Sequence, residues 1–190
     1  WHTCEPDKVG TEGWLGKAIK ELDPNKENVL TGVNFGRGLP RAMASPGVPV
    51  SSVGDLDSYG LMTGISEGEQ RTEALEIFKH MYGPAIGSGP VMDYLAQTGT
   101  DVIRGADRLK EAPARYLSEV EYASDSFAKS LRDVARVHLA DLGTRIFYTS
   151  QGGYDTHANQ VPVQTPLLSD LSAGIGDFFT DLREHDAADN

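Results

Sequence analysis

The chain has 190 residues, 39% of them hydrophobic and 24% charged, which is ample for one buried core of ordinary globular composition. A formal net charge of −11 argues against nucleic acid or anionic lipid as a partner, and no apolar run approaches the ~20 residues that span a bilayer. Cys4 is the single cysteine, which excludes an internal disulfide.

In chain order, Trp14, Leu15, Ala18, Ile19 and Leu22 recur at helical spacing, and Asp23-Pro24-Asn25 ends that helix. A β-rich run from Val29 to Phe35 follows and stops at Gly36. Val48 to Val53 reads as a short second strand, with Pro49 placing it at a sheet edge, and the Gly/Pro-rich stretch between the two strands is a loop. Ser66-Glu67-Gly68-Glu69 has capping-box form, and behind it Ala74, Ile77, Phe78, Met81 and Tyr82 make one helical stripe that Gly83-Pro84 stops. After the turn Gly87-Ser88-Gly89-Pro90, a further helix carries Met92, Leu95, Ala96, Val102, Ile103, Ala106 and Leu109 on its apolar side until Pro113 closes it. The stretch 116–123 follows neither period.

Phe127, Leu131, Val134, Ala135, His138, Leu139 and Leu142 share one helix face, with Gly143 placed as the left-handed cap. Thr144 to Ser150 is then a buried strand. Beyond it, Thr165-Pro166 has the form of an N-cap and first helical residue, and Leu167, Leu168, Leu171, Ile175, Phe178, Phe179 and Leu182 repeat at three and four. Gly174 and Gly176 weaken that helix by roughly 1 kcal/mol each and allow close approach of a neighbour. The order of elements predicts an α/β fold: a partial, mostly parallel sheet flanked by helices, in one domain over 1–190. Within it, 66–142 is a helical insertion and 144–190 a strand-motif-helix unit. Strands 29–35 and 144–150 are expected to lie parallel in one sheet, covered by the helices 127–142 and 167–182, with Leu171 and Phe178 as core anchors.

The stretch from Phe147 to Gln160 concentrates the candidate chemistry, because a buried strand delivers it to the carboxyl edge of the sheet, where α/β proteins bind ligands. Asp155 and His157 are first-row metal ligand types, and in extended backbone residues i and i+2 point the same way, so both suit one divalent cation such as Zn, Mn, Ca or Mg. The competing reading makes Asp155 an Asx-turn residue and His157 a surface group. Gly152-Gly153 offers either a nest of backbone amides for a phosphate or sulfate oxygen, or a tight strand-to-loop turn. Asn159 and Gln160 serve either a substrate or the loop. His138 reads as an interior helix residue, and His80 and His185 lie near helix ends.

The Gly-Gly-Tyr-Asp-Thr-His run at 152–157 resembles the motif of the bacterial domain of unknown function 1501 family, placed among alkaline-phosphatase and sulfatase-like proteins. Gly13-Trp14-Leu15-Gly16, the run 29–35, the stretch 139–160 and the helix 167–182 are similar to that family in the same order. The resemblance implies an alkaline-phosphatase-like fold, a hydrolase-like activity on phosphate or sulfate esters with a small anionic ester or glycan sulfate as partner, and a metal site using Asp155 and His157. It also implies an exported, periplasmic setting. Gln164 stands where relatives often carry a His, which is a departure at a candidate ligand position. The opening at Trp1 and the end just past a helix read as the middle of a longer domain, so two ligands alone are expected to hold no metal tightly. A non-catalytic exported binding scaffold of the same fold is the alternative.

Overall fold

The computed structural model describes residues 2–5, 7, 10, 12–59, 69–82, 87, 89–158 and 160–189. It is a mixed α/β structure around a small parallel sheet. In order, the elements are α1 (Trp14–Leu22), β1 (Gly32–Phe35), β2 (Ser51–Val53), α2 (Glu69–Tyr82), α3 (Pro90–Leu109), α4 (Glu111–Arg115), α5 (Ser126–Leu139), β3 (Ile146–Thr149) and α6 (Gln160–Glu184). The sheet order is β2-β1-β3, with both neighbours parallel to β1; Val33 pairs with Ser51 on one side and with Phe147 on the other. The expected pairing of the first and last strands is therefore present, and β2 lies at an edge.

All four residues of β1 are buried, as befits the central strand of a parallel sheet covered on both faces. Side chains alternate between the faces. Val33 and Phe35 join Val53, Leu30, Leu109, Ala112, Val134 and Val137 in the core, with Phe147 and Phe178 packed against it. On the opposite face Gly32 lets Ile19 and Met43 approach, for a Cβ at residue 32 would stand 2.4 Å from Ile19 Cδ1. Here α1 and the connection 36–50 form the cover. That connection joins two parallel strands without a helix, an uncommon solution. It compensates by satisfying α1: the first-turn amides of Leu15 and Gly16 donate to Ala42 O, and Gly13 N donates to Ala44 O.

The last two helices depart from the sequence expectation. α5 ends at Leu139, earlier than residue 142, with Asp141 at φ 51° and Gly143 at φ 75° in the connection to β3. α6 begins at Gln160, which places Pro166 inside the helix rather than at its start. α5 lies on the sheet, whereas α6 packs along α5. Gly174 makes that approach, as a Cβ there would stand 3.3 Å from Phe127 Cδ1, while Gly176 faces open space. Leu171 and Phe178 are half-buried rather than fully enclosed. In α3 the buried line is Ala96, Gly99, Ile103, Ala106 and Leu109, and Met92, Leu95 and Val102 of the predicted stripe are exposed. Ile77 and Met81 of α2 are exposed as well. The predicted capping box at 66–69 falls largely outside the described residues, as does the stop at 83–84. No helix among the described residues is long and apolar enough to cross a membrane.

Candidate functional site

In an open parallel sheet, ligands bind beyond the carboxyl ends of the strands, at the point where successive connections run to opposite sides. The order β2-β1-β3 puts that point at the ends of β1 and β3. A crevice of about 320 Å³ opens there. Phe35, Gly36 and Arg37 reach it from β1, Val53, Gly54, Asp55 and Asp57 from β2, and Ser150 from β3. The first turns of α5 supply Ser126, Lys129, Ser130, Arg132 and Asp133. A larger cavity of about 480 Å³ lies between the outer edge of β2 and α3, walled by Val48, Val50, Tyr94 and Val102. Its lining is mostly apolar, so the smaller charged crevice is the better site for a polar ligand.

Buried polar groups build the crevice. Asn34, 4% exposed, donates to Gly38 O at 2.8 Å and to Gly36 O at 3.2 Å, which fixes the turn that presents Arg37. Ser130 and Thr149 share a hydroxyl–hydroxyl hydrogen bond that ties α5 to the end of β3. Asp125 caps α5, accepting from Phe127 N at 2.9 Å and Ala128 N at 3.0 Å. Those amides are thereby occupied, so an anion in the crevice meets side chains.

Arg136 sits behind the lining and is gripped by two carboxylates, Asp57 Oδ1 at 2.6 Å and Asp133 Oδ1 at 3.1 Å. Burial alone would lower its pKa, but these hydrogen bonds raise it. The same contact with Arg136 holds Asp57 below the usual carboxylate range. Asp133 moves the other way: burial pushes it up against the pull of Arg136 and of the Leu56 amide. Arg132 is less committed, with Nη2 at 3.6 Å from Asp57 Oδ2 and a buried Nε that has no hydrogen bond among the described residues. Arg37 and Lys129 have no carboxylate partner among the described residues. On the lining, Arg37, Lys129 and Arg132 thus meet Asp55, Asp57 and Asp133, and Asp57 and Asp133 also serve Arg136 behind it. In a chain of charge −11, basic side chains without a carboxylate partner are the groups of this crevice that an anion would meet.

The motif loop after β3 lies at the carboxyl edge, but only Ser150 lines the crevice. Asp155 and His157 pair with each other, Nδ1 to Oδ1 at 3.1 Å, with side chains 82% and 90% exposed. No third His, Cys, Asp or Glu among the described residues joins them in a three-ligand group, so as placed they do not fit a metal centre. Gly153 takes φ 94°, against the Leu167 side chain, and a Cβ at residue 152 would meet nothing within 4 Å among the described residues. Gln151 Nε2 donates to Leu167 O at 3.2 Å, and Gln151 Oε1 accepts from the Tyr154 hydroxyl, an arrangement that fastens the loop to α6. Gln160 opens α6 and donates to Gln164 Oε1 at 2.8 Å. Asn159 lies outside the described residues. Comparison of the chain with protein-family models, curated proteins and solved structures finds no match. The basic groups of the crevice were missed in the sequence, although Ser126, Lys129, Ser130 and Asp133 recur at three and four beside the apolar stripe of α5.

Proposed function

We propose that this chain carries the ester-binding crevice of a hydrolase-like domain, alkaline-phosphatase-like in fold, that acts on small phosphate or sulfate esters. The observation behind the anion-binding part is the group of Arg37, Lys129 and Arg132, with Ser126 and Ser130, at the carboxyl ends of β1 and β3. The resemblance at 13–16 and 147–160 to the domain of unknown function 1501 family supports the hydrolase part and the exported setting. A divalent cation at Asp155 and His157 belongs to that resemblance, and no step here runs through it. The alternative, a non-catalytic exported binding protein, draws on one observation: no imidazole or thiol among the described lining residues stands beside the serine hydroxyls to activate attack.

The test is titration of the chain with inorganic phosphate and sulfate, followed by backbone amide shifts, together with hydrolysis assays on nitrophenyl phosphate and sulfate. Saturable shifts at Arg37, Ser126 to Ser130 and Ser150 are expected, weakened about tenfold by Lys129→Met, the loss of one charge-assisted contact of about 1.5 kcal/mol. Turnover that Lys129→Met slows in parallel supports the hydrolase; binding without turnover supports the scaffold. Shifts scattered over the surface, or none, would remove the crevice as the site.

A further inference from the structure

At the C-terminal end of α6, Asp181, Glu184 and His185 present ligand atoms that all lie within 4.8 Å of one another. Their i, i+3, i+4 spacing sets them on one helix face. Asp181 is completely buried. Its Oδ2 accepts from two phenols, Tyr116 and Tyr122, each at 2.7 Å. Burial and the nearby carboxylate push both phenols up, Tyr116 to about 12, so both stay protonated donors. Oδ1 is equally buried and has no hydrogen bond among the described residues. An unsatisfied carboxylate oxygen in the interior is costly and calls for a cation.

The groups facing Oδ1 intensify the conflict. His185 Nδ1 stands 3.3 Å from Asp181 Oδ1 and 2.8 Å from the Asp181 carbonyl oxygen, while Nε2 stands 2.8 Å from Leu117 O. A neutral imidazole has one N–H. In the neutral tautomer with that hydrogen on Nε2, donating to Leu117 O, the Nδ1 lone pair faces oxygen acceptors, whereas an imidazolium would donate from both nitrogens. A separation of 3.3 Å is about the edge of a tetrahedron whose corners lie ~2.0–2.1 Å from a central zinc ion.

The surroundings are those of oriented ligands. Glu184 accepts from Ser118 Oγ at 2.8 Å and from Glu119 N at 3.0 Å. Each of the three residues is therefore held by the same facing stretch, 116–122, with His185 Nε2 within hydrogen-bond distance of a backbone carbonyl, as is common for metal-bound histidines that carry their hydrogen on that nitrogen. The negative end of the helix dipole adds attraction for a cation. We propose that Asp181 Oδ1, a Glu184 carboxylate oxygen and His185 Nδ1 bind one divalent transition-metal ion, zinc by the fit of this donor set, with the exposed side of Glu184 leaving a fourth position to water.

This site shares no ligand with the crevice lining and does not rest on the ester reading. Isothermal titration of the chelator-treated chain with zinc chloride, and cobalt absorption as a second readout, test it in wild type, His185→Gln, Glu184→Gln and His157→Ala. One zinc per chain at micromolar affinity is expected, with cobalt bands of tetrahedral intensity. Glu184→Gln, on an exposed side chain that does not endanger folding, and His185→Gln should each weaken binding at least tenfold, and His157→Ala should leave it unchanged. Three outcomes overturn the proposal: no stoichiometric uptake, with His185 nitrogen shifts of an imidazolium that donates from both sides; binding indifferent to both α6 variants; or binding lost in His157→Ala.

Discussion

Asp57 and Asp133 grip one guanidinium from two sides, and their environments drive their proton affinities apart. Asp57 is half exposed and held down by its hydrogen bond to Arg136, whereas burial raises Asp133. A carboxylate with a depressed folded-state pKa stabilises the fold fully above about pH 4 and loses that contribution as pH falls through the lowered value. Asp133 opposes this trend, because its protonation relieves the cost of burying charge. Asp57→Asn should therefore unfold at lower urea than wild type at pH 7, and the gap should close as pH falls below about 4. A gap that stays constant over that range would show that the Asp57 carboxylate charge contributes nothing through Arg136. None of this was visible in the sequence, where Asp57 and Arg136 stand 79 positions apart.

Periodicity is the part of an element that a sequence displays, and α5 displays it well, whereas Leu168, Ile175 and Phe179 of the predicted α6 stripe are exposed. The stripe from Phe127 to Val134 does turn inward, and α6 does pack through Gly174. Boundaries were less legible because caps are local and packing is not. Thr165-Pro166 has the look of a helix start, yet the helix begins at Gln160; the donor lost at Pro166 and its ring's crowding of the Pro162 carbonyl are tolerated within a long helix laid along α5. Two glycines that look alike in the sequence separate in the structure. Gly176→Ala should raise stability by about 0.5–1 kcal/mol, since its Cβ meets nothing. Gly174→Leu should lower it by about 1–3 kcal/mol by forcing α6 off Phe127 and Leu131. Urea midpoints decide both, and a shift of the same sign in the two variants would contradict the packing. At the other helix, Asp125→Ala should cost about 1 kcal/mol through the loss of the cap, with thermal melts as the check.

At the scale of the whole molecule, the site was harder to read than the fold. Asp155 and His157 are two residues apart and catch the eye, but the crevice draws on 35–37, 53–57, 126–133 and 150, which no sequence window contains. The parallel sheet was legible from its apolar runs. The manner in which its second face closes was not, because α1 and a helix-free crossover complete each other through backbone contacts. Gly13 and Gly16 are the places where they meet. A Cβ at residue 13 would stand 2.1 Å from Ala42 O and 2.3 Å from Arg41 O, and one at residue 16 would stand 2.8 Å from Met43 O. Backbone atoms cannot rotate aside as a side chain does, so relief requires α1 or the crossover to move. Movement would also uncover Ile19 and Met43, which are 2% and 0% exposed. Gly13→Ala is therefore expected to destabilise the protein by about 1–3 kcal/mol, more than its small added volume would imply elsewhere. Gly16→Ala should do so by less, since α1 recovers helix propensity at an interior position. Amide exchange should quicken first in α1 and 41–45, while α5 and α6, on the other face, keep their protection. Uniform loss of protection across both faces would mean that the two covers of the sheet unfold as one unit, and an unchanged melt for Gly13→Ala would place α1 farther from the crossover than these contacts require.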